Sequence, residues 1–411
     1  VMASLKLNFR IRCLFAFFCC FGGYSVSAEE LLMPLQTQAI NQVQTSLNQN
    51  TQAQWLLHTT QESQLALADS LRMKAVKSDL PNAAQIPGAT LRRWATLGFI
   101  NDIEVVSEYD RWGQKLPQTV KDAISFRDKV YAIPTQIHRS NWMWVNNQVL
   151  DRVDGEAPRT WLAFKRLTDR LKQSKTPIVI TAKDPAQNTL VLEALMLGLE
   201  GPDFYRQAFI ELDFATLKSE QMIRVFHQLA ELRPHLTRQQ YETWEEAAQA
   251  FERGQGAVMF AGDWIKKHLS SEAEHIHCEP LPEASATFLF NLHSVVLFRH
   301  TDQTQQSELA RALFTESLQT DLNLSQGSIP ARVDISPWGF DQCGVRAMRE
   351  FRSAHRIETL QPSLASGMAA SEAIQRNVFT AVNEFINNPN MTPKQGAKAL
   401  AKAVRVAVYK L

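Results

Sequence analysis

Three sets of residues in this chain have the types and spacing to do chemistry. His275-Ile276-His277-Cys278 places two imidazoles on one face of an extended segment with a thiol beside them, the beginning of a zinc site. A third and a fourth ligand are missing from the neighbourhood, so no metal is expected there. Gly254-Gln255-Gly256 resembles part of a dinucleotide loop, but it lacks the third glycine and precedes a strand instead of a helix, so it reads as a turn. The third set is aromatic: Trp142 and Trp144 in one extended run, and Trp264 directly after Ala261-Gly262-Asp263. An indole at a cleft edge can stack on the apolar face of a sugar while Asp, Asn and Arg bond its hydroxyls. Core packing is the competing use, and of Trp142 and Trp144 one is expected to face the core. No G-x-S-x-G, H-E-x-x-H or G-x-x-x-x-G-K-S/T occurs, and no acid–base or nucleophile set is evident. An enzyme is therefore not expected, nor a cofactor.

The composition is that of a scaffold able to hold a binding site. A chain of 411 residues, 45% hydrophobic and 21% charged, makes two or three ordinary domains or one large two-lobed unit, and excludes a disordered or fibrous protein. Lys+Arg 43 against Asp+Glu 42 leaves no basic surplus for a phosphate backbone, so no nucleic-acid partner is expected. Residues 1–28 read as a secretory signal: Lys6, Arg10 and Arg12 are the basic start, Cys13 to Phe21 the apolar run, and Val26-Ser27-Ala28 the cleavage site. The run is too short to span a bilayer, and no later stretch reaches about 18 consecutive apolar residues, so a soluble, periplasmic mature protein is expected. Three of the five cysteines lie in that signal. Cys278 and Cys343 remain, and in an oxidising compartment two such cysteines most often pair with each other.

The elements that would position these residues can be read along the chain. Leu35, Ile40, Val43 and Leu47 mark an amphipathic helix, Gln54–Leu57 a short strand, and Leu65, Ala68, Leu71 and Ala75 a helix over Glu62–Lys77. Ala83–Ile86 is a strand, and Ala89–Leu97 a helix stopped by Gly98. Lys129–Pro134 and His138–Asn146 read as two strands, Thr160 as the N-cap of a helix over Trp161–Lys172, and Pro177–Thr181 as a buried strand. Helices follow at Phe204–Phe209, Thr216–Leu232 and Tyr241–Phe251, and then a strand at Ala257–Ala261. The last 80 or so residues read as mostly helical, closing with a basic Ala/Lys/Val helix over Pro393–Leu411 that is expected to dock on a lobe. Strands alternating with helices predict α/β architecture.

Several of these stretches carry a resemblance. Lys129-Val-Tyr-Ala-Ile-Pro134, His138-Arg-Ser-Asn-Trp-Met-Trp-Val-Asn146, Gly201-Pro-Asp-Phe-Tyr-Arg-Gln-Ala-Phe209 and Ala257-Val-Met-Phe-Ala-Gly-Asp-Trp264 are four of them. Gly327-Ser-Ile-Pro-Ala-Arg-Val-Asp334 and Phe340-Asp-Gln-Cys343 complete the set. In order and spacing, from about Pro81 onward, the chain resembles the type II periplasmic solute-binding proteins of ABC transporters, in the glucose/mannose-type sugar-binding branch. The resemblance implies two α/β lobes joined by crossing hinge strands, with the ligand cleft between them. It places the N-terminal lobe at 29–134 and 283–328 and the C-terminal lobe at 135–282 and 329–411. The crossings would fall near Ala132–His138, Cys278–Pro282 and Ser328–Val333, each stiffened by a proline. Hinge closure would let ABC permease subunits in the inner membrane tell loaded from empty protein; a sensor that signals to a membrane receptor or kinase is the alternative. A monomer is expected.

The departures fall on the sugar-contacting positions that the resemblance implies. A Trp-Trp-Thr-Ser loop is replaced by Leu32-Met33-Pro34-Leu35, and a glycine-rich turn by Thr59-Thr60-Gln61-Glu62. An Asp-Ser is here His293-Ser294, a Lys is Gln326, a His is Ser366, and a Trp-Gln pair is Ala186-Gln187. Trp264 with Asp263, and His138, Arg139 and Asn141, stand as in the family. The expected ligand-binding residues are therefore Trp264, Asp263, His138, Arg139, Asn141, His293 and Gln326, around a carbohydrate site altered from that of the relatives. Stacking platforms and charged hydroxyl partners compensate for desolvating a sugar, and most of both are replaced. Tight glucose binding is not expected.

Overall fold

The computed structural model describes residues 28–409 except 36, 61–63, 174–177, 238–239, 271–272 and 285. The signal-like segment before Ala28 lies outside the described residues, as do Gln61, Glu62 and Pro177. Among the described residues the strands are, in chain order, β1 (Glu29–Met33), β2 (Trp55–Thr59), β3 (Ala83–Pro87), β4 (Ser125–Phe126), β5 (Lys129–Val130), β6 (Ala132–Arg139) and β7 (Trp142–Asn146). They continue with β8 (Val179–Ala182), β9 (Gln240–Tyr241), β10 (Val258–Ala261), β11 (Ile276–Pro280), β12 (Phe288–Leu297) and β13 (Leu360–Pro362).

Two sheets organise the chain. The first runs β2–β1–β3 in parallel, then β12 antiparallel to β3, with β6 on the other side of β12 and β13 continuing the β3 side. The second has the order β11–β7–β10–β8–β9. Helices Thr37–Asn50 and Gln64–Val76 cover the first sheet against β2 and β3. Helices Pro185–Leu199, Glu220–Leu236, Glu372–Asn387 and Pro393–Val408 pack together on the second. The result is two α/β lobes, with β6 and β12 as the long antiparallel pair between them.

Local signals set many of the helices. Thr160 Oγ1 accepts from the Ala163 amide at 3.1 Å, the cap expected for Trp161–Gln173. Thr392 and Gln395 form a reciprocal capping box at the start of Pro393–Val408. That final helix buries Ala397, Leu400, Ala401, Val404 and Ala407 on its neighbours, so it docks as expected. Gly396 makes the approach possible, since a Cβ there would lie 2.5 Å from the Phe226 ring. None of the described helices is long and apolar enough to cross a membrane.

Three expectations need correction, and one helix went unread. The run His138–Asn146 is two strands, because the chain changes sheets at Ser140-Asn141; β6 pairs with β12, and β7 with β10 and β11. Trp142 and Trp144 are both buried, at 1% and 2% exposure, since residues two apart on a strand share a face. The second change of sheet falls between Pro280, the end of edge strand β11, and Phe288, the start of β12, so it overlaps the expected Cys278–Pro282 only at that stretch's end. Helix Pro185–Leu199 went unread because it is buried from Gln187 through Leu197 and has no polar stripe to reveal a helical period. The expected disulfide is present: Cys278 and Cys343, 65 positions apart, tie β11 to the helix Gln342–Arg356.

Candidate functional site

The crossing pair forms the floor of the site. In its register Asn291 lies opposite His138 and His293 opposite Gln136, which puts all four side chains on one face. A bulge follows His293, and Thr135 Oγ1 caps it by donating to the His293 carbonyl at 3.0 Å. The His138 and His293 rings sit 4.5 Å apart, centroid to centroid. Asn291 Nδ2 lies 3.3 Å from His293 Nε2. Burial, with the charges of His138 and Lys267 adding to it, holds His293 well below the ordinary histidine range, so its ring is neutral at pH 7.

The second lobe contributes the short helix Asp263–His268, which follows β10. Asp263 is 2% exposed and faces the end of β6, with Oδ1 2.6 Å from His138 Nδ1 and Oδ2 accepting from the Arg139 amide at 2.9 Å. That carboxylate fixes the His138 ring over the floor. Trp264 is half-buried, and its ring lies back on Gly262, where a Cβ would stand 1.9 Å from it. From the third crossing Ile329 exchanges both backbone hydrogen bonds with Ile137, and Ser328 Oγ accepts from Gln136 Nε2 at 3.3 Å.

Two of the expected ligand-binding residues are committed inside the protein. Arg139 is fully buried with its Cζ 3.8 Å from the centre of the Trp142 ring, Nε donating to Asn141 Oδ1 at 3.2 Å and the guanidinium paired with Glu350. Burial pushes the Glu350 carboxyl up, but Arg139 and Arg346 outweigh it and hold it below the usual range. Asn141 is also fully buried, and its Oδ1 accepts from the Leu289 amide at 3.0 Å while Nδ2 donates to the Thr287 carbonyl at 3.3 Å. These two residues lock the change of sheet.

The polar face also holds groups that have nothing to bond. Gln136 Oε1 and Asn291 Oδ1 are buried without a hydrogen-bond partner, and so is Gln326 Nε2, two residues before Ser328. Each such atom costs about 1–3 kcal/mol unless something else meets it. The opposite wall closes on this floor. Met368 packs on Gly88, just after β3, where a Cβ would meet its sulfur at 2.3 Å. Ser366 Oγ lies 3.1 Å from Ser140 Oγ, and Arg72 of the first lobe pairs with Glu372 of the second at 2.6 Å. Met33 and Leu35 are packed in the core at 0% and 2% exposure.

A polar floor between two α/β lobes suits a solute receptor, and comparison with known proteins agrees. The bacterial extracellular solute-binding protein family matches residues 36–338 of the chain. This chain belongs to that family. A "probable sugar-binding periplasmic protein" of Brucella suis is 30% identical over 345 residues, covering 82% of this chain and 81% of that protein. A protein with the same description from Mesorhizobium japonicum is 27% identical, covering 82% and 83%. Among solved structures, a chitin oligosaccharide binding protein superposes with a TM-score of 0.74 at 15% identity, over 92% of this chain and 99% of that one. The solute receptor AcbH, described as preferring β-D-galactopyranose, gives 0.72 at 15% identity, with coverage of 92% and 99%.

In this solute-binding protein the structure brings together His138, Asp263 and His293 of the residues expected from the sequence, with Trp264 next in the chain, and adds Gln136 and Asn291, which the sequence reading missed. The signal was available, because each precedes a chosen histidine by two residues and so shares its face. The His275-His277-Cys278 set dissolves: Cys278 is in the disulfide, and His275 Nε2 lies 3.0 Å from the Glu252 carbonyl oxygen. Among the described residues no group of three His, Cys, Asp or Glu is placed to hold a metal ion.

Proposed function

We propose that this protein is the periplasmic receptor of an ABC-type sugar importer, binding a carbohydrate between its lobes without chemistry and handing it to membrane permease subunits. The observation that carries the reading is the pair of unpartnered carbonyl oxygens, Gln136 Oε1 and Asn291 Oδ1, beside a neutral imidazole on the floor of the cleft. Two buried acceptors call for hydroxyl or amide donors, and the site's one buried carboxylate, Asp263, is already engaged by His138 and the Arg139 amide. An uncharged, hydroxyl-rich solute fits that inventory better than an ion. The curated relatives described as sugar-binding and periplasmic support the same class and compartment. In this reading His138, His293, Gln136, Asn291 and Gln326 meet the solute and Trp264 stacks on it, whereas Arg139 and Asn141 support them from behind. The lobes are 29–134 with 283–328, and 135–282 with 329–411; the mature chain begins after a signal cleaved at Ala28 and acts as a monomer.

Glucose is not the tight ligand in this proposal, because Met33 and Leu35 are in the core and the Ser366 hydroxyl is engaged by Ser140. A thermal-shift panel of mono- and oligosaccharides, followed by calorimetric titration, tests both claims. A bound sugar at 100 times its Kd stabilises the protein by about 2.7 kcal/mol. Stabilisation by charged solutes alone would overturn the sugar reading, and submicromolar glucose binding would overturn the altered site.

A further inference from the structure

Helix Pro185–Leu199 carries one residue that does not suit its surroundings. Glu193 is fully buried, and every group that holds it is uncharged. Its Oε1 accepts from the Tyr205 hydroxyl and the Leu364 amide, each at 2.5 Å. Its Oε2 accepts from Ser363 Oγ at 2.9 Å and the Ala365 amide at 3.2 Å. Four donors on one carboxyl hold three consecutive residues of the segment that follows β13.

That segment touches the strands beside the polar floor and the other lobe. The Ser363 amide donates to the Phe290 carbonyl at 2.9 Å, next to Asn291 on the floor. Ser366 touches Ser140 at the end of β6, and Met368 covers Gly88 in the other lobe. Whatever holds Ser363–Ala365 therefore sets where Ser366 meets Ser140 and where Met368 meets Gly88 of the first lobe.

The network can also hold a proton. Tyr205 has one hydroxyl hydrogen and two acceptors in reach, Glu193 Oε1 at 2.5 Å and the Pro362 carbonyl at 2.8 Å. With Glu193 ionised, the tyrosine hydrogen goes to the carboxylate. With Glu193 protonated, the acid donates to the tyrosine oxygen, and the tyrosine hydrogen turns to Pro362. Both states are fully bonded, and neither needs a side chain to move.

We propose that Glu193 is a positioning residue for the cleft, a buried carboxyl that clasps Ser363–Ala365 and takes up a proton from solvent or returns it there without releasing the segment, the Tyr205 hydroxyl turning so that both states stay bonded. Burial pushes the carboxyl up to about 7 against the pull of its four donors, so the exchange falls near neutral pH. Among the described groups in hydrogen-bond contact with it, Tyr205 alone titrates, and burial raises that phenol well above its ordinary value. Of the charged groups on the helices packed here, Arg233 donates to the Asn388 and Met391 carbonyls, Glu372 pairs with Arg72 and Arg376, Arg224 with Glu200, and Arg206 with Asp203. The inference uses the solute-binding reading only for what the segment is for; the clasp exists with or without a sugar.

The test therefore uses the mature protein with no solute. In amide NMR spectra between pH 5 and 9, the Leu364 and Ala365 signals should titrate together with a midpoint near pH 7. Glu193→Gln should abolish that titration with unchanged far-UV circular dichroism, and should raise hydrogen exchange both in residues 362–370 and around Gly88. Tyr205→Phe removes a donor that favours the carboxylate, so it should move the midpoint upward; this arm decides the matter if the glutamine variant does not fold. Wild-type amides that do not move across the range overturn the proton exchange, and unchanged exchange at both segments in the variant overturns the clasp. Neither result depends on which solute the cleft takes.

Discussion

Replacing Arg139 separates a ligand contact from a scaffold, and the structure fixes the size of the effect. The guanidinium is fully buried between the Trp142 ring at 3.8 Å and the Phe288 ring at 4.9 Å, and paired with Glu350. Removing one partner of a buried ion pair costs about 3–5 kcal/mol, because the other charge stays behind. Glu350 keeps Arg346, whose Nε is 2.9 Å from it, and retains some solvent contact, so the lower end applies. Arg139→Ala should therefore lose about 3 kcal/mol in urea unfolding. Arg139→Met fills the volume and should lose less. Tryptophan fluorescence and circular dichroism should be followed together, since a two-lobed protein need not unfold in one step. The reasoning fails if Arg139→Ala loses under about 1 kcal/mol, the usual size of a surface change, yet weakens sugar binding more than tenfold. That outcome would return Arg139 to the cleft as a contact.

Three further outcomes are expected. Asn291→Ala and Gln136→Ala should each weaken the bound sugar about three- to tenfold by calorimetry, the worth of one neutral hydrogen bond. Opening the Cys278–Cys343 bond frees a 65-residue loop and should lower stability by at most about 4 kcal/mol on the chain-entropy model, read from urea curves with and without reductant. The pH dependence of stability should carry the mark of Glu193. Its carboxyl holds a proton in the folded state up to about pH 7, whereas in the unfolded chain it releases one near 4.5, so folding stability falls as pH rises between those values and is flat on either side. The loss is on the order of 3 kcal/mol and should be absent from Glu193→Gln; equal slopes in the two proteins would refute it.

The alternation of strands and helices, the Thr160 cap, the pairing of the last two cysteines and the neighbourhood of His138, Asp263 and Trp264 were all legible in the amino-acid order. The first two depend on local periodicity and a short capping spacing, the third on two cysteines left together in an oxidising compartment, and the last on the resemblance to the solute-binding family. What the order alone could not decide was where the chain changes sheets. Ser140-Asn141 looks like the middle of one strand, and only pairing with β12 on one side and with β10 and β11 on the other breaks it. The same pairing buries Arg139 and Asn141, which as isolated polar residues read as ligand contacts. Glu193 was hidden for a related reason: a carboxyl in an apolar helix has no meaning until a segment 170 positions later closes over it. Local spacing places residues on a face, but which face meets the solute and which is closed by another strand depends on contacts between distant parts of the chain, and those belong to the tertiary structure alone.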